Sequence, residues 1–213
     1  LSKGYSQRLL TQKLTAIRYQ LKAEVMNPSE MVGEKDQQLL LQLARHAIQT
    51  TIQKGRRLPA VESLSPLLRE KRGTFVTLWE DQLRGCIGFP YPVKPLAEAV
   101  QEAAVSAALQ DPRFPPVRLE ELPHLEIEIS VLTVPKVIEP PQIQVGVHGL
   151  IVSRGNRSGL LLPQVAMEYQ WDAQTFLEQT CVKAGLPQDA WKEKINLYSF
   201  EAQVFSEADL KKK

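Results

Sequence analysis

Two β-like runs, residues 74–79 and 83–88, lie only three residues apart, and this spacing constrains the fold more than any other feature of the chain. Such runs can pair only as an antiparallel hairpin, because parallel strands need a crossover of a dozen or more residues. Residues 125–132 alternate between apolar and polar side chains, which predicts a further, half-buried strand. The first half of the chain therefore predicts antiparallel pairing.

Helical periodicity predicts three helices among these strands. The first follows Asp36, whose side chain is suited to cap it, and it ends at Gly55, where a left-handed residue belongs. The second is expected over 95–109, where alanines form a small-residue face that would let the helix lie close to the sheet. The third is capped by Asp172 and ended by Gly185.

The second half of the chain has the same kinds of elements without repeating the sequence. Runs over 145–152 and 160–166 flank a polar, glycine-containing connection at 153–159, which predicts another hairpin. A last strand is expected over 196–205. Hairpins with irregularly interspersed helices favour an α+β fold with mostly antiparallel pairing over a doubly wound sheet.

The second strand of the first hairpin carries a candidate site, with the sequence Leu-Arg-Gly-Cys-Ile-Gly at 83–88. Alternation along a strand puts Arg84 and Cys86 on one face, where the guanidinium would favour the thiolate. Gly85 and Gly88 flank the cysteine, and the absence of a Cβ lets a ligand or another backbone approach the sulfur. The alternative is that Cys86 is a small buried hydrophobe, as free cysteines commonly are.

Further blocks join this motif in a recognisable order. They lie at 83–88, 111–116, 126–132, 148–150, 161–166 and 183–186. Together they make the chain from about Asp36 to Glu207 similar to the AMMECR family. The resemblance implies a two-part α+β fold with a larger and a smaller subdomain. It also implies a shared pathway with Memo-like proteins and radical S-adenosylmethionine enzymes, and the family has no established reaction.

Two more residue types suit acid–base chemistry. His148 lies in an apolar run, and it would serve as the base of a thiol enzyme if its hairpin faced that of Cys86. Glu126 and Glu128 project from one strand face and could exchange protons with a ligand. The alternatives are a hydrogen-bonded structural histidine and a solvated or salt-bridged carboxylate face.

Two other side chains complete the polar set expected around one cleft. Arg113 is held between Pro112 and Phe114, and a guanidinium fixed in this way suits a carboxylate or phosphate, or else ties down its own loop. Gln164 follows Pro163. With Arg84, Gly85 and Gly88, these residues form the predicted ligand-binding set.

Composition excludes several classes of function. With 213 residues, 43% of them hydrophobic and 23% charged, the chain can bury a sizeable core, and a net charge of +2 without basic clusters gives no sign of nucleic-acid binding. No apolar run is long enough for a membrane span. Two cysteines and three histidines show no metal-ligand spacing, so we expect no metal, no cofactor and a reduced, cytoplasmic setting.

The first 35 residues differ from the rest. Basic residues precede the first acid, and apolar residues follow one helical stripe, which predicts a basic amphipathic helix and a linker over 1–35. The AMMECR-like domain is expected over 36–208, followed by a tail at 209–213. The helix could dock on a membrane surface or a partner, or pack on its own domain or a second copy, forming a homo-oligomer.

Two functions remain open from the sequence. In the first, the strand of Arg84 and Cys86 is the floor of a catalytic cleft, with His148 and Glu128 as acid–base groups, and a thiolate attacks a small or peptide-like electrophile. In the second, the same cleft binds a ligand or a protein without turnover, and Arg84 and Arg113 grip an anionic group.

Overall fold

The computed structural model describes residues 30–56, 59 and 64–211. In this part of the chain, six α-helices and eight strands form an α+β fold with two four-stranded sheets. The elements in chain order are α1 (Glu34–Lys54), α2 (Pro66–Arg69), β1 (Thr74–Glu80), β2 (Gln82–Phe89), α3 (Leu96–Leu109), β3 (Glu126–Leu132), β4 (Lys136–Val137), β5 (Gly149–Arg154), β6 (Arg157–Leu161), α4 (Pro163–Glu168), α5 (Ala173–Lys183), β7 (Asn196–Phe200), β8 (Ala202–Ser206) and α6 (Glu207–Lys211).

The chain divides into two compact units. The first unit comprises Val32–Val134 together with residues 203–211, and the second is built from Pro135–Ala202. The sheet of the first unit has the strand order β2-β1-β3-β8, and that of the second has the order β4-β7-β5-β6. The expected α+β class with antiparallel hairpins is therefore confirmed.

One face of the first sheet packs against helices. Val76 and Leu78 of β1 and Ile127 and Ile129 of β3 are fully buried, and they share one core with apolar residues of α1 and α3. Alternation along the strands turns the neighbouring residues to the opposite face. The candidate site lies on that opposite face.

The packing of α3 depends on a glycine. The alanines at 99, 103, 104 and 107 are buried, as the small-residue face predicts. A Cβ on Gly85 would collide with the carbonyl oxygen of Ala107, at the end of this face. Gly85 thus lets the last turn of α3 touch the backbone of β2, next to Cys86.

The second unit has a core of its own. Leu150 and Val152 of β5 pack with Phe176, Leu177 and Cys181 of α5, all of them fully or almost fully buried. Asp172 caps α5 by accepting a hydrogen bond from the backbone N–H of Thr175, at 2.7 Å. The predicted cap at Asp172 is confirmed, and Cys181 is a fully buried core residue.

Several local predictions were wrong because tertiary contacts decide them. Asp36 lies inside the first turn of α1 and accepts a hydrogen bond from Ser65 Oγ at 2.6 Å, while Gly33 takes the N-cap position. The run at 145–152 begins with a turn, and its strand starts only at Gly149.

The other corrections concern strand ends. The predicted strand over 160–166 stops at Leu161, because Pro163 starts α4. The predicted strand over 196–205 is broken at Glu201 into β7 and β8, which join different sheets. The amphipathic helix predicted within 1–35 lies outside the described residues.

The contact at Gly85 gives a test of the fold. Gly85→Ala should lower the free energy of unfolding by about 3 kcal/mol, because a methyl group would force α3 away from β2. Urea denaturation followed by circular dichroism measures this. Gly33→Ala is the control, since nothing lies within 4 Å of a Cβ built there, and its effect should stay within about 1 kcal/mol. Equal losses in both variants would contradict the assigned contact.

Candidate functional site

Three polar side chains form a row across the first sheet. Thr77 of β1 pairs with Cys86 on one side and with Glu128 of β3 on the other, so the three side chains share the face opposite the helices. With strands spaced about 4.8 Å apart, the Cα atoms of Cys86 and Glu128 lie about 10 Å from each other. Cys86 and Glu128 are half-buried. A small ligand over Thr77 could reach both.

Cys86 is a thiol with a hydroxyl donor. Thr77 Oγ1 donates a hydrogen bond to Cys86 Sγ at 3.3 Å. Burial raises the pKa of the thiol, and the charges of Asp111 and Glu128 add to this, while the Thr77 hydrogen bond and the positive charge of Arg113 oppose it. The resting side chain at neutral pH is therefore the thiol, and the groups that stabilise the thiolate are Thr77 and Arg113.

Glu128 titrates close to neutral pH. Burial raises the pKa of its carboxyl to about 7, a hydrogen bond from the Trp79 side chain opposes the rise, and the nearby charges of Glu126 and Asp209 add to it. At pH 7 both protonation states of this carboxyl are well populated. A group with these properties is suited to donate or accept a proton near physiological pH.

The backbone at Cys86 is held by the loop that follows α3. Asp111 Oδ2 accepts a hydrogen bond from the Cys86 N–H at 2.8 Å, and Arg113 Nη2 donates to the Cys86 carbonyl oxygen at 3.2 Å. Arg113 also donates to Asp111 through Nε at 2.9 Å and through Nη2 at 2.6 Å. This bonding keeps the pKa of Asp111 well below its usual range. Arg113 ties down its own loop, one of the two roles expected for it.

Arg84 has a different partner from the one expected. A β-bulge interrupts the pairing of β1 and β2 between Leu78 and Trp79, opposite Arg84. The guanidinium donates through Nε to Glu121 at 2.9 Å. It is absent from the charges that act on the Cys86 thiol, and Arg113 takes that place. The expectation that Arg84 favours the thiolate is therefore corrected.

The two glycines admit the protein's own backbone. A Cβ on Gly88 would collide with the Thr74 carbonyl oxygen and with Phe75, and one on Gly85 would collide with Ala107. Of the two kinds of neighbour expected at these positions, the structure shows another segment of backbone. Their contact with a ligand stays a prediction.

The remaining predicted site residues belong to the second unit. His148 follows a turn, where its Nδ1 accepts a hydrogen bond from the Gln144 N–H at 3.2 Å, and burial lowers the pKa of its imidazole. Gln164 lies in the first turn of α4, and its Oε1 is buried without a hydrogen-bond partner among the described residues. The structure brings Cys86, Glu128 and Arg113 together within the first unit, whereas a pairing of Cys86 with His148 stays a prediction.

Two residues of the site were missed from the sequence. Thr77 lies opposite Cys86 only because a β-bulge shifts the register between Leu78 and Trp79, whereas the connection at 80–82 alone would pair Thr77 with Gly85. Asp111 opens the Asp-Pro-Arg-Phe block, but a side chain that reaches a strand 25 residues earlier in the chain leaves no local pattern. In the described part of the chain, no group of three metal-ligating side chains lies together, and no helix is long and apolar enough to cross a membrane.

Comparison with known proteins agrees with this architecture. The sequence profile of the AMMECR1 family matches residues 41–205. The chain belongs to the AMMECR1 family. This AMMECR1-family protein is 48% identical over 183 residues to Protein PF1979 of Pyrococcus furiosus, covering 80% of this chain and 87% of that one. It is 50% identical over 196 residues to Protein MK0488 of Methanopyrus kandleri, covering 84% and 93%.

A solved structure is also similar to this AMMECR1-family chain. The crystal structure of the uncharacterized protein PH0010 from Pyrococcus horikoshii superimposes with a TM-score of 0.72 at 48% identity, covering 79% of this chain and 90% of that one. At this identity the likeness extends beyond the fold class to the family, so the earlier resemblance is confirmed. The names of these relatives give no reaction or ligand.

The raised pKa of Glu128 predicts a stability effect with a definite sign. Between pH 4.5 and about 7 the folded protein keeps a proton that the unfolded chain has lost, so this carboxyl destabilises the fold increasingly as the pH rises. Glu128→Gln should therefore stabilise the protein by up to about 3 kcal/mol at pH 8 and hardly at all at pH 4. Urea denaturation at the two pH values measures the difference.

A matched control separates this effect from a general loss of charge. Glu120→Gln removes an exposed carboxyl from the same unit. A gain in Glu128→Gln that is the same at pH 4 and pH 8, or that Glu120→Gln reproduces, would contradict the assignment of the effect to the buried carboxyl.

Proposed function

We propose that this AMMECR1-family protein binds a small-molecule or peptide ligand on the polar face of its first sheet and acts on it as a thiol-dependent enzyme. Cys86 is the nucleophile and Glu128 is the acid–base group. The observation that carries the proposal is the row of Cys86, Thr77 and Glu128, in which a thiol and a carboxyl with a pKa of about 7 share one face. Titratable groups with strongly perturbed pKa values cluster at functional sites.

The chemistry follows from the order of the three side chains. Cys86 Sγ forms a bond to an electrophilic carbon of the ligand, and the bond from that carbon to its leaving group breaks. The thiol proton goes to solvent, and protonated Glu128 gives its proton to the leaving group. Thr77 donates to the sulfur and stabilises its negative charge before the attack.

A second candidate function is binding without turnover. It is favoured by the raised pKa of the Cys86 thiol, because a nucleophile at rest is commonly activated in the opposite direction. In this case Glu128 recognises a ligand through a hydrogen bond, and Cys86 is a packing residue. His148 and Gln164 belong to the predicted site under either function.

The setting and the partners are part of the proposal. Both cysteines are free thiols, which supports a reduced, cytoplasmic environment. Family resemblance supports a shared pathway with Memo-like proteins or radical S-adenosylmethionine enzymes, in which this protein would act on or bind a product of its neighbours. Homo-oligomer formation through the N-terminal helix remains a proposal for residues outside the described part.

Alkylation with iodoacetamide tests the thiol function. The folded protein is labelled from pH 5.5 to 9.5, and each cysteine is followed by mass spectrometry. We expect Cys86 to react while Cys181, which is 0% exposed, stays unlabelled. Glu128→Gln should shift the Cys86 profile to lower pH by about half a unit, because it removes a negative charge that raises the pKa of the thiol.

The same experiment separates the two candidate functions. If Cys86 stays unlabelled until the protein unfolds, the thiol is a packing residue and binding without turnover is the better proposal. If Cys86 reacts but its profile ignores Glu128→Gln, the two side chains do not form one site and the enzyme proposal is wrong.

A further inference from the structure

The loop between α3 and β3 holds Cys86 from the edge of the sheet, and this arrangement has a role beyond packing. We propose that Asp111 is a positioning residue of the Cys86 site: it fixes the Cys86 peptide and orients the Arg113 guanidinium so that its charge stabilises the Cys86 thiolate. The inference rests on the proposed function of the site. The cation that stabilises the Cys86 thiolate is then Arg113 rather than Arg84.

The first argument is where the hydrogen bonds lie. β2 is an edge strand in the order β2-β1-β3-β8, so one side of its backbone has no neighbouring strand. The Cys86 N–H and carbonyl oxygen are bonded on that side by Asp111 and Arg113. Two side chains thus take the place of a neighbouring strand at one residue, and this residue is the cysteine.

The second argument is the state of Asp111. Its side chain is 1% exposed, yet it stays ionised because Arg113 donates to both of its oxygens. Removing a carboxylate from water in this way costs free energy that packing alone does not require. The cost is offset by a bidentate pair, whose fork geometry fixes the guanidinium in one orientation.

The loop itself is built to keep this orientation. The Phe114 N–H donates to the Asp111 carbonyl oxygen at 3.2 Å, and the Val117 N–H donates to the Ala108 carbonyl oxygen of α3 at 2.8 Å. The Arg113 guanidinium also lies 5.4 Å from the centre of the Phe114 ring. The Arg113 side chain is 54% exposed, so the part of its guanidinium outside these hydrogen bonds remains accessible to solvent or a ligand.

The charges around the sulfur show what this orientation does. The groups that act on Cys86 are the Thr77 hydroxyl from β1, Glu128 from β3, and Asp111 and Arg113 from the loop. Arg113 is the only cation among them within the described residues, and it opposes two carboxylates. The loop occupies the edge of β2 at Cys86, so a ligand would reach Sγ from the sheet face, with Arg113 beside the peptide that carries the sulfur.

The test measures thiol ionisation directly rather than reactivity. The cysteines are labelled with ¹³C at Cβ, and the chemical shift of Cys86 is followed by NMR from pH 6 to 11, so that no substrate is needed. Arg113→Gln should raise the pKa of the Cys86 thiol by about half a unit to one unit, and Arg113→Lys should recover part of that shift. Arg56→Gln, which removes an exposed arginine of the same unit, should leave it unchanged.

Asp111→Asn gives the decisive result, because two roles predict opposite signs. Loss of the Asp111 charge alone would lower the pKa of the Cys86 thiol, since that charge raises it. Loss of the anchor for Arg113 would raise it, and faster hydrogen exchange of the Cys86 amide should accompany the rise. A lower pKa in Asp111→Asn, or no change in Arg113→Gln, overturns the inference.

The outcome is independent of the alkylation experiment. If the pKa of the Cys86 thiol changes in the Arg113 variants but not in Glu128→Gln, the enzyme proposal is wrong and the positioning role stands. If that pKa changes in Glu128→Gln but not in the Arg113 variants, the positioning role is wrong and the enzyme proposal stands. The Arg113 variants change a half-exposed side chain, so they keep the test decisive even if Asp111→Asn unfolds.

Discussion

The geometry of the site depends on the hydrogen bonds that the buried carboxylate of Asp111 accepts. This carboxylate joins the loop after α3 to the edge strand β2 at the cysteine, and it has almost no contact with water. A buried charge of this kind is stable only with a full set of donors, and Arg113 and two backbone N–H groups supply them. The loop, the strand edge and the guanidinium are therefore fixed together.

The packing around Gly85 makes that interaction possible. The last turn of α3 touches the backbone of β2, which leaves the helix end, and the loop that follows it, beside the strand edge. A larger residue at 85 would move α3 outward and carry Asp111 away from the Cys86 N–H. The glycine before the cysteine thus serves the site through the helix behind the sheet. The motif combines a packing requirement with a chemical one.

Local patterns were enough for the hairpin of β1 and β2, for β3 and for the caps of α5, because each depends on periodicity or on a neighbouring residue. They failed where a distant partner decides, as at Asp36, which bonds Ser65, and at Arg84, which pairs with Glu121 across 37 positions. Cys86 and Glu128 were predicted from their residue types and strand faces, and the strand register places both beside Thr77. Asp111 was not, because its role exists only once the loop is folded.

The site combines a thiol and a carboxyl that are both shifted toward their neutral forms. Burial causes both shifts, so the half-buried face resists carrying negative charge at rest. A ligand that brings positive charge or hydrogen-bond donors to the Cys86 sulfur would stabilise the thiolate, while Glu128 keeps the proton that the proposed reaction needs. Arg113 reduces the free-energy cost of ionisation for the Cys86 thiol but not for Glu128. Under the proposed enzyme function, ligand binding would therefore raise the reactivity of Cys86 above that in the free protein.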